Sequence, residues 1–273
     1  MKARCNFRSR KTSGRNGKNY VLFIDVDGTL VACDPLFVRA RENFVFLMHS
    51  LGFDSEAARQ MIQDVDLKNA RAVGFERDRF PMSMVEAYRE LCKKFTPDST
   101  PDTMVIELCT DIGHSPFFQA PQVFVNALPV LERASEYFLL VAVTMGNREA
   151  QEHKIYQAGF GGLFDELIIT PNDNKPECVR EAIIDMNVDP SQSAFIGNSL
   201  RSDGACLTET NFIHLPLEAG WAFDNHVLPV DTGFEAFTAV SWREVEERGI
   251  ARLIRRREYK QAAKRRRKNV EQA

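Results

Sequence analysis

No run of 18 consecutive apolar residues occurs in the 273-residue sequence, so a membrane-spanning helix is not expected. The first 19 residues are basic, but no apolar stretch of signal length follows. VLFI (21–24) is too short and runs straight into acids, so no secretory signal is expected either. Cysteine is sparse: Cys5, Cys33, Cys92, Cys109, Cys178 and Cys206 are widely scattered, and none forms a CxxC pair. That pattern argues against a zinc site or a disulfide framework, and the expectation is free thiols in a reducing, cytoplasmic setting. Acids are missing from residues 1–19, which carry seven Lys/Arg, and are rare in 252–273, which carry ten Lys/Arg and two Glu. The remainder holds 18 basic and 36 acidic residues, a formal charge of −18. An acidic body therefore carries two basic tails, which read either as solvated segments or as contacts to nucleic acid or another anionic surface. No aromatic residue interleaves with KRRRK (264–268), which leaves nucleic-acid binding without the stacking signal it often has.

What is present is enough for one large domain or a core domain with a smaller companion, given 44% hydrophobic content. Strand-like apolar runs recur at VLFI (21–24), FLLVAV (138–143), ELIIT (166–170), SAFIG (193–197) and NFIHL (211–215). Helical patterns separate the later ones, at 148–159 and at 176–187, where Pro176 suits a first helical turn. Strands alternating with helices predict an α/β fold with a parallel, Rossmann-like sheet covered on both faces. Residues 34 to about 122 are different. Apolar stripes at 36–51, 55–65, 81–95 and 101–112 predict a helical insertion after the first strand, with caps at Asp54 or Ser55 and at Thr100. The expected organisation is a basic tail at 1–19, a core at 20–33 and 122–251, a helical cap at 34–121 and a second basic tail at 252–273.

The polar residues that stand out lie at the carboxyl ends of the predicted strands, where open α/β sheets bind ligands. Asp25 and Asp27 end the first strand and share one side of it, because residues i and i+2 of a strand point the same way. Two like charges so close cost stability near a core unless something offsets them. Thr144 ends FLLVAV, Lys175 lies just past ELIIT, and Asn198, Ser199 and Asp203 follow AFIG. Taken singly, a strand-end threonine or a lysine before a helix is ordinary. The ordered set is not.

That set resembles the haloacid dehalogenase superfamily of hydrolases over about residues 20–220. Asp25-Val26-Asp27-Gly28-Thr29 matches the first motif, Thr144 in VAVTMGN the second and Lys175 in NKPE the third. GNSLRSD (197–203) resembles the fourth, where GDSxxxD is more usual. The helical insertion matches the cap of many members. The resemblance implies that Asp25 is a nucleophile attacking phosphorus to form an aspartyl-phosphate. Asp27 would protonate the leaving oxygen and later deprotonate water. Gly28 would turn the chain so that backbone N–H groups approach the phosphate, and Thr144, the N–H of Met145 and Lys175 would bind it. Mg²⁺ would be the cofactor, held by Asp25, the carbonyl of Asp27, Asn198 and Asp203; the departure at Asn198 leaves open which residue of that loop is the ligand, and whether Asp203 ligates directly, through water or acts by way of Lys175. The acid at position 27 favours phosphate ester hydrolysis over carbon–halogen cleavage, which needs neither a second acid nor a metal.

The expected activity is therefore that of a Mg²⁺-dependent phosphatase acting on a small soluble phosphate ester. A sugar phosphomutase, a catalytically silent binding protein and a phosphatase of nucleic-acid ends recruited by the basic tails are the alternatives. In GFERDRFP (74–81), Arg77 and Arg79 are candidates for contact with an anionic or polyhydroxy substrate, against the alternative of a solvated loop paired with Glu76 and Asp78.

Overall fold

In a computed structural model, residues 20–74, 78–170, 174–218, 226–256, 258 and 262 are described. The tail at 1–19, nearly all of 257–273, Arg77 and Trp221 lie outside the described residues. Among those described, no helix is long and apolar enough to cross a membrane. The chain divides into two compact units. One takes the chain up to Ala32, Gln122–Met145 and His153 onward; the other takes Cys33–Pro121 with Gly146–Glu152.

The first unit is built on a six-stranded sheet in the order β5-β4-β1-β6-β7-β8, with every neighbouring pair parallel. Its strands are β1 (Val21–Ile24), β4 (Leu139–Met145), β5 (Glu166–Thr170), β6 (Ala194–Gly197), β7 (Asn211–His214) and β8 (Ala236–Thr238). All four residues of β1 are fully buried, as a central parallel strand covered on both faces must be. Helices α5 (Ala127–Ala134), α6 (Arg148–Gln157) and α7 (Lys175–Met186) accompany the sheet in sequence. Phe23, Val141, Phe195 and Phe212 pack with Cys178, Val179 and Ala182 of α7 in one core cluster. A short antiparallel pair, β2 (Val31–Ala32) with β3 (Gln122–Val123), ties together the points where the chain leaves and re-enters this unit.

The strand order reverses beside β1. The chain runs from β1 out to β4 and β5, then returns to β6 on the other side and continues to β7 and β8. The carboxyl ends of β1 and β6 are thus the switch point of the sheet, where loops diverge and leave a crevice. The five strand-like runs of the sequence match β1, β4, β5, β6 and β7. Strand β8 went unrecognised because AFT is short and mostly exposed.

The second unit is helical: α1 (Asp34–Ser50), α2 (Ser55–Val73), α3 (Arg79–Phe95) and α4 (Thr103–His114). Asp54 caps α2, its carboxylate accepting the Ala57 N–H at 2.9 Å. Helix α4 begins later than its sequence pattern predicts. The cap is Asp102, which accepts the Met104 N–H at 2.7 Å, and not Thr100; a carboxylate two residues closer competes better for the first free amides. Phe44, Met48, Ile62, Phe80, Met84 and Leu91 form the core of this unit. Arg79 is buried with them and ion-paired to Asp66 of α2. Cys33, Cys92, Cys109 and Cys206 are free thiols.

Helices α3 and α4 meet where a glycine permits it. A Cβ on Gly113 would sit 2.4 Å from the Pro81 Cα, a backbone atom with nowhere to go. Gly113→Ala is expected to destabilise the helical unit by about 1–3 kcal/mol, the usual scale of overpacking. Urea denaturation with a probe in that unit checks it.

Candidate active site

The chain leaves β1 through a tight turn. Asp25 still donates its N–H to the Ile196 carbonyl of β6 (2.9 Å), and the N–H groups of Leu30 and Val31 then fold back onto the Val26 carbonyl (2.9 and 3.2 Å). Gly28 takes φ +77°, which an L side chain rarely adopts. Space also demands glycine there, because a Cβ would lie 2.4 Å from Nδ2 of Asn198. The Gly28 N–H donates to the Val31 carbonyl at 2.9 Å. The Gly28 amide is thus used inside the turn, and what this residue contributes here is shape.

Thr29 is fully buried beneath that turn. Its hydroxyl lies 3.0 Å from Oδ2 of Asp25 and 3.3 Å from Oδ1 of Asn198, which brings these two oxygens to one spot. The Thr29 carbonyl accepts the indole N–H of Trp242 at 3.0 Å. Trp242 opens α8 (Trp242–Glu244) and is itself fully buried. On the other side, Nε2–H of His214 donates to the Asn198 carbonyl at 3.0 Å, while Nδ1 faces the Thr238 hydroxyl at 3.3 Å. Thr29, Trp242 and His214 were not singled out by sequence as parts of the site. Only the adjacency of Thr29 to the DxDG turn was a usable signal.

Lys175 enters from the N-terminus of α7, where Pro176 fits the first turn. Its ammonium donates to Oδ1 of Asp25 and to Oδ1 of Asp203, each at 2.6 Å, and lies 5.7 Å from the centre of the Phe195 ring. All three charged groups are buried. Burial pushes the Asp25 carboxyl up to about 7; Lys175 opposes this, and the carboxylates of Asp203 and Asp27 add to it. Burial also disfavours the Lys175 ammonium, but Asp203 and Asp25 outweigh it and hold its pKa above the ordinary lysine range. The direction that follows for the cluster is a charged lysine shared by two acids.

Of the placements left open for Asp203, the structure shows contact with Lys175. Asp203 is fully buried, its Oδ1 faces Lys175 and its Oδ2 accepts the Ser199 N–H at 3.0 Å. A Cβ on Gly197 would lie 2.3 Å from Oδ2 of Asp203, so the strand end and this carboxylate are in direct contact. The side-chain oxygens that Thr29 brings together at the switch point are those of Asp25 and Asn198. Such an all-oxygen set suits a hard divalent cation. Among the described residues, no group of three or more His, Cys, Asp or Glu side chains is arranged to hold a metal.

Thr144 and Met145 end β4, the neighbour of β1, with Thr144 buried. The Asp27 side chain is about one-third exposed, and its Oδ1 accepts from the ammonium of Lys154 in α6 at 2.5 Å. Nothing in the sequence distinguished Lys154. Arg79 is not placed as the expected substrate contact, being buried in the helical unit against Asp66.

Removing Lys175 would leave two buried carboxylates without their shared cation, a change that typically costs about 3–5 kcal/mol. Lys175→Met is therefore expected to lower the unfolding free energy from urea denaturation at neutral pH by that much, far more than Arg180→Met at an exposed ion pair on the same helix.

A family model described as haloacid dehalogenase-like hydrolase matches residues 21–206, more than half of the chain. No curated protein matches it. A haloacid dehalogenase-like hydrolase from Xanthomonas campestris shares the fold with a TM-score of 0.68 and 18% identity, over 89% of this chain and 97% of that one. A dehalogenase with an intermediate complex gives a TM-score of 0.54 and 13% identity, covering 84% and 95%. The HAD-hydrolase YfnB from Bacillus subtilis, bound to magnesium, gives 0.53 and 15%, covering 84% and 97%. With the matched segment running from the start of β1 past Asp203, the chain belongs to the haloacid dehalogenase-like hydrolases.

Proposed function

We propose that this hydrolase is a Mg²⁺-dependent phosphatase that cleaves a small-molecule phosphate monoester through an aspartyl-phosphate on Asp25. The observation that carries the reading is the pair of acids at one strand end in unlike surroundings. Asp25 is buried, fixed by Lys175 and Thr29, and has its pKa raised by burial. Asp27 is more exposed and held by Lys154. Two carboxylates placed in different environments can take different parts in one reaction.

The chemistry assigned to these residues runs in two displacements. A carboxylate oxygen of Asp25 forms a bond to phosphorus while the ester P–O bond breaks. The electron pair goes to the leaving oxygen, which takes a proton from Asp27. Water then attacks the same phosphorus, gives its proton to Asp27 and releases Asp25 with inorganic phosphate. Lys175 offsets the charge of the nucleophile as the anionic ester approaches, and Thr144 with the Met145 amide would hold the phosphoryl oxygens. Bound Mg²⁺ would supply the further positive charge that lets a carboxylate meet a phosphate. The shared contact of Thr29 with Asp25 and Asn198 supports these two as side-chain ligands; the Asp27 carbonyl would complete the set. Asp203 then acts through Lys175. The magnesium bound to the Bacillus relative is in keeping with this set.

The dehalogenase among the structural relatives marks the rival chemistry, displacement of halide from carbon. Asp27 favours phosphate, since halide leaves without a proton and needs no acid. The helical unit, whose sequence pattern suggested a cap, is proposed to select the substrate.

Phosphate release from an aryl phosphate and a panel of small phosphate esters tests the reading, with Mg²⁺ and with EDTA. Metal-dependent release is expected for the wild type and loss below detection for Asp25→Asn at unchanged circular dichroism. Halide release from a 2-haloacid is expected to be absent. Undiminished phosphate release by Asp25→Asn would sink the nucleophile assignment.

A further inference from the structure

We infer that Lys154 is a positioning residue for the acid/base carboxylate of Asp27, an assignment that rests on the phosphatase reading above. The two acids at the end of β1 are secured by different means. Asp25 is clamped inside the protein by Thr29 and Lys175. Asp27 stands past the strand end, where a bridge to Val31 fixes its backbone but not its side-chain torsions. Its carboxylate is partly open to solvent, and the ammonium of Lys154 reaches it from 127 residues away in sequence. An ion pair this exposed contributes little to stability, because solvent screens it and two flexible chains must be ordered to form it. Its consequence is positional: it ties one oxygen of the carboxylate to α6 and so limits where the acid can point. Helix α6 begins four residues after Thr144, so one short segment carries both a proposed phosphoryl contact and the group that aims the proton donor. A misplacement of about 1 Å at a reacting group can cost on the order of 10²-fold in rate, which makes such a tether matter to chemistry while leaving folding nearly untouched.

The inference separates Lys154 from a structural residue by its dependence on the leaving group. 4-Nitrophenyl phosphate expels a weakly basic phenolate that leaves without protonation. Phenyl phosphate expels a more basic one that needs the proton of Asp27. In Lys154→Met the first-turnover rate with phenyl phosphate is expected to fall about 10- to 100-fold, within the range that general acid catalysis supplies. The first-turnover rate with 4-nitrophenyl phosphate is expected to stay within about threefold, with a burst of nitrophenolate as the slower, base-dependent second step takes over. Lys154→Arg, which keeps the cation, is expected to restore much of the phenyl phosphate rate. A thermal-unfolding cycle of Lys154→Met, Asp27→Asn and the double variant reads the contact without turnover: the small Tm cost of Lys154→Met should shrink in the Asp27→Asn background.

Equal losses on both esters, or a Tm cost that is the same in both backgrounds, would overturn the role of Lys154 while leaving the phosphatase reading intact. Wild-type protein that releases phosphate from neither these esters nor the wider panel would overturn the phosphatase reading, and this inference with it.

Discussion

The site depends on one buried cation. Lys175 stands between Asp25 and Asp203 and donates to both at 2.6 Å, in surroundings that penalise all three charges. Without it the two acids would oppose each other across a space that water does not screen, and at least one would have to take up a proton. With it, Asp25 can keep a carboxylate at the switch point of the sheet. The lysine also ties three distant pieces of chain to one atom: the end of β1, the start of α7 and the loop after β6. Asp203 belongs to that support. Its second oxygen anchors the Ser199 amide, so it orders the loop as well as the lysine.

Two glycines set how closely these pieces approach. Gly28 lets the turn after β1 lie against Asn198, and Gly197 lets the end of β6 lie against Asp203. In each case the missing Cβ is replaced by a polar side chain of the site. Around them runs a second set of contacts, in which Trp242 holds the Thr29 carbonyl and His214 holds the Asn198 carbonyl. Both reach the site through backbone oxygens, so they fix where Thr29 and Asn198 stand without consuming the side-chain oxygens that face Asp25.

The helical unit uses a buried charge for another purpose. Arg79 and Asp66 pair inside it, with Arg41 3.8 Å from the second Asp66 oxygen and Arg79 and Arg41 each about 6 Å from the Phe80 ring centre. Arg79 looked available in sequence because it follows a run of polar residues. In the fold it begins α3 and turns inward, where burial lowers its pKa and a carboxylate on the adjacent helix offsets part of that cost.

Much of the architecture was legible in the sequence because the physics that makes it is local. Buried parallel strands are continuous apolar runs, and VLFI and ELIIT coincide with β1 and β5 while the other three strand-like runs differ from their observed limits by a residue or two. Helix limits were less legible at Asp102 and Arg79, where capping and burial moved the start. The charged residues at strand ends were legible as a set, and the sheet brings Asp25, Lys175, Asn198 and Asp203 to one edge. Their individual contacts were not. Whether Asp203 serves a metal or a lysine, whether Gly28 offers an amide or a shape, and which of many lysines meets Asp27 are decided by distances between segments up to 178 residues apart, such as Asp25 and Asp203. The sequence alone determined the strand–helix alternation and the order of the chemical groups along it, since these follow from side-chain periodicity and residue type. Only the tertiary structure decided which lone pairs are spent on support and which face the substrate's side, because that depends on how close parallel strands and their loops come once packed.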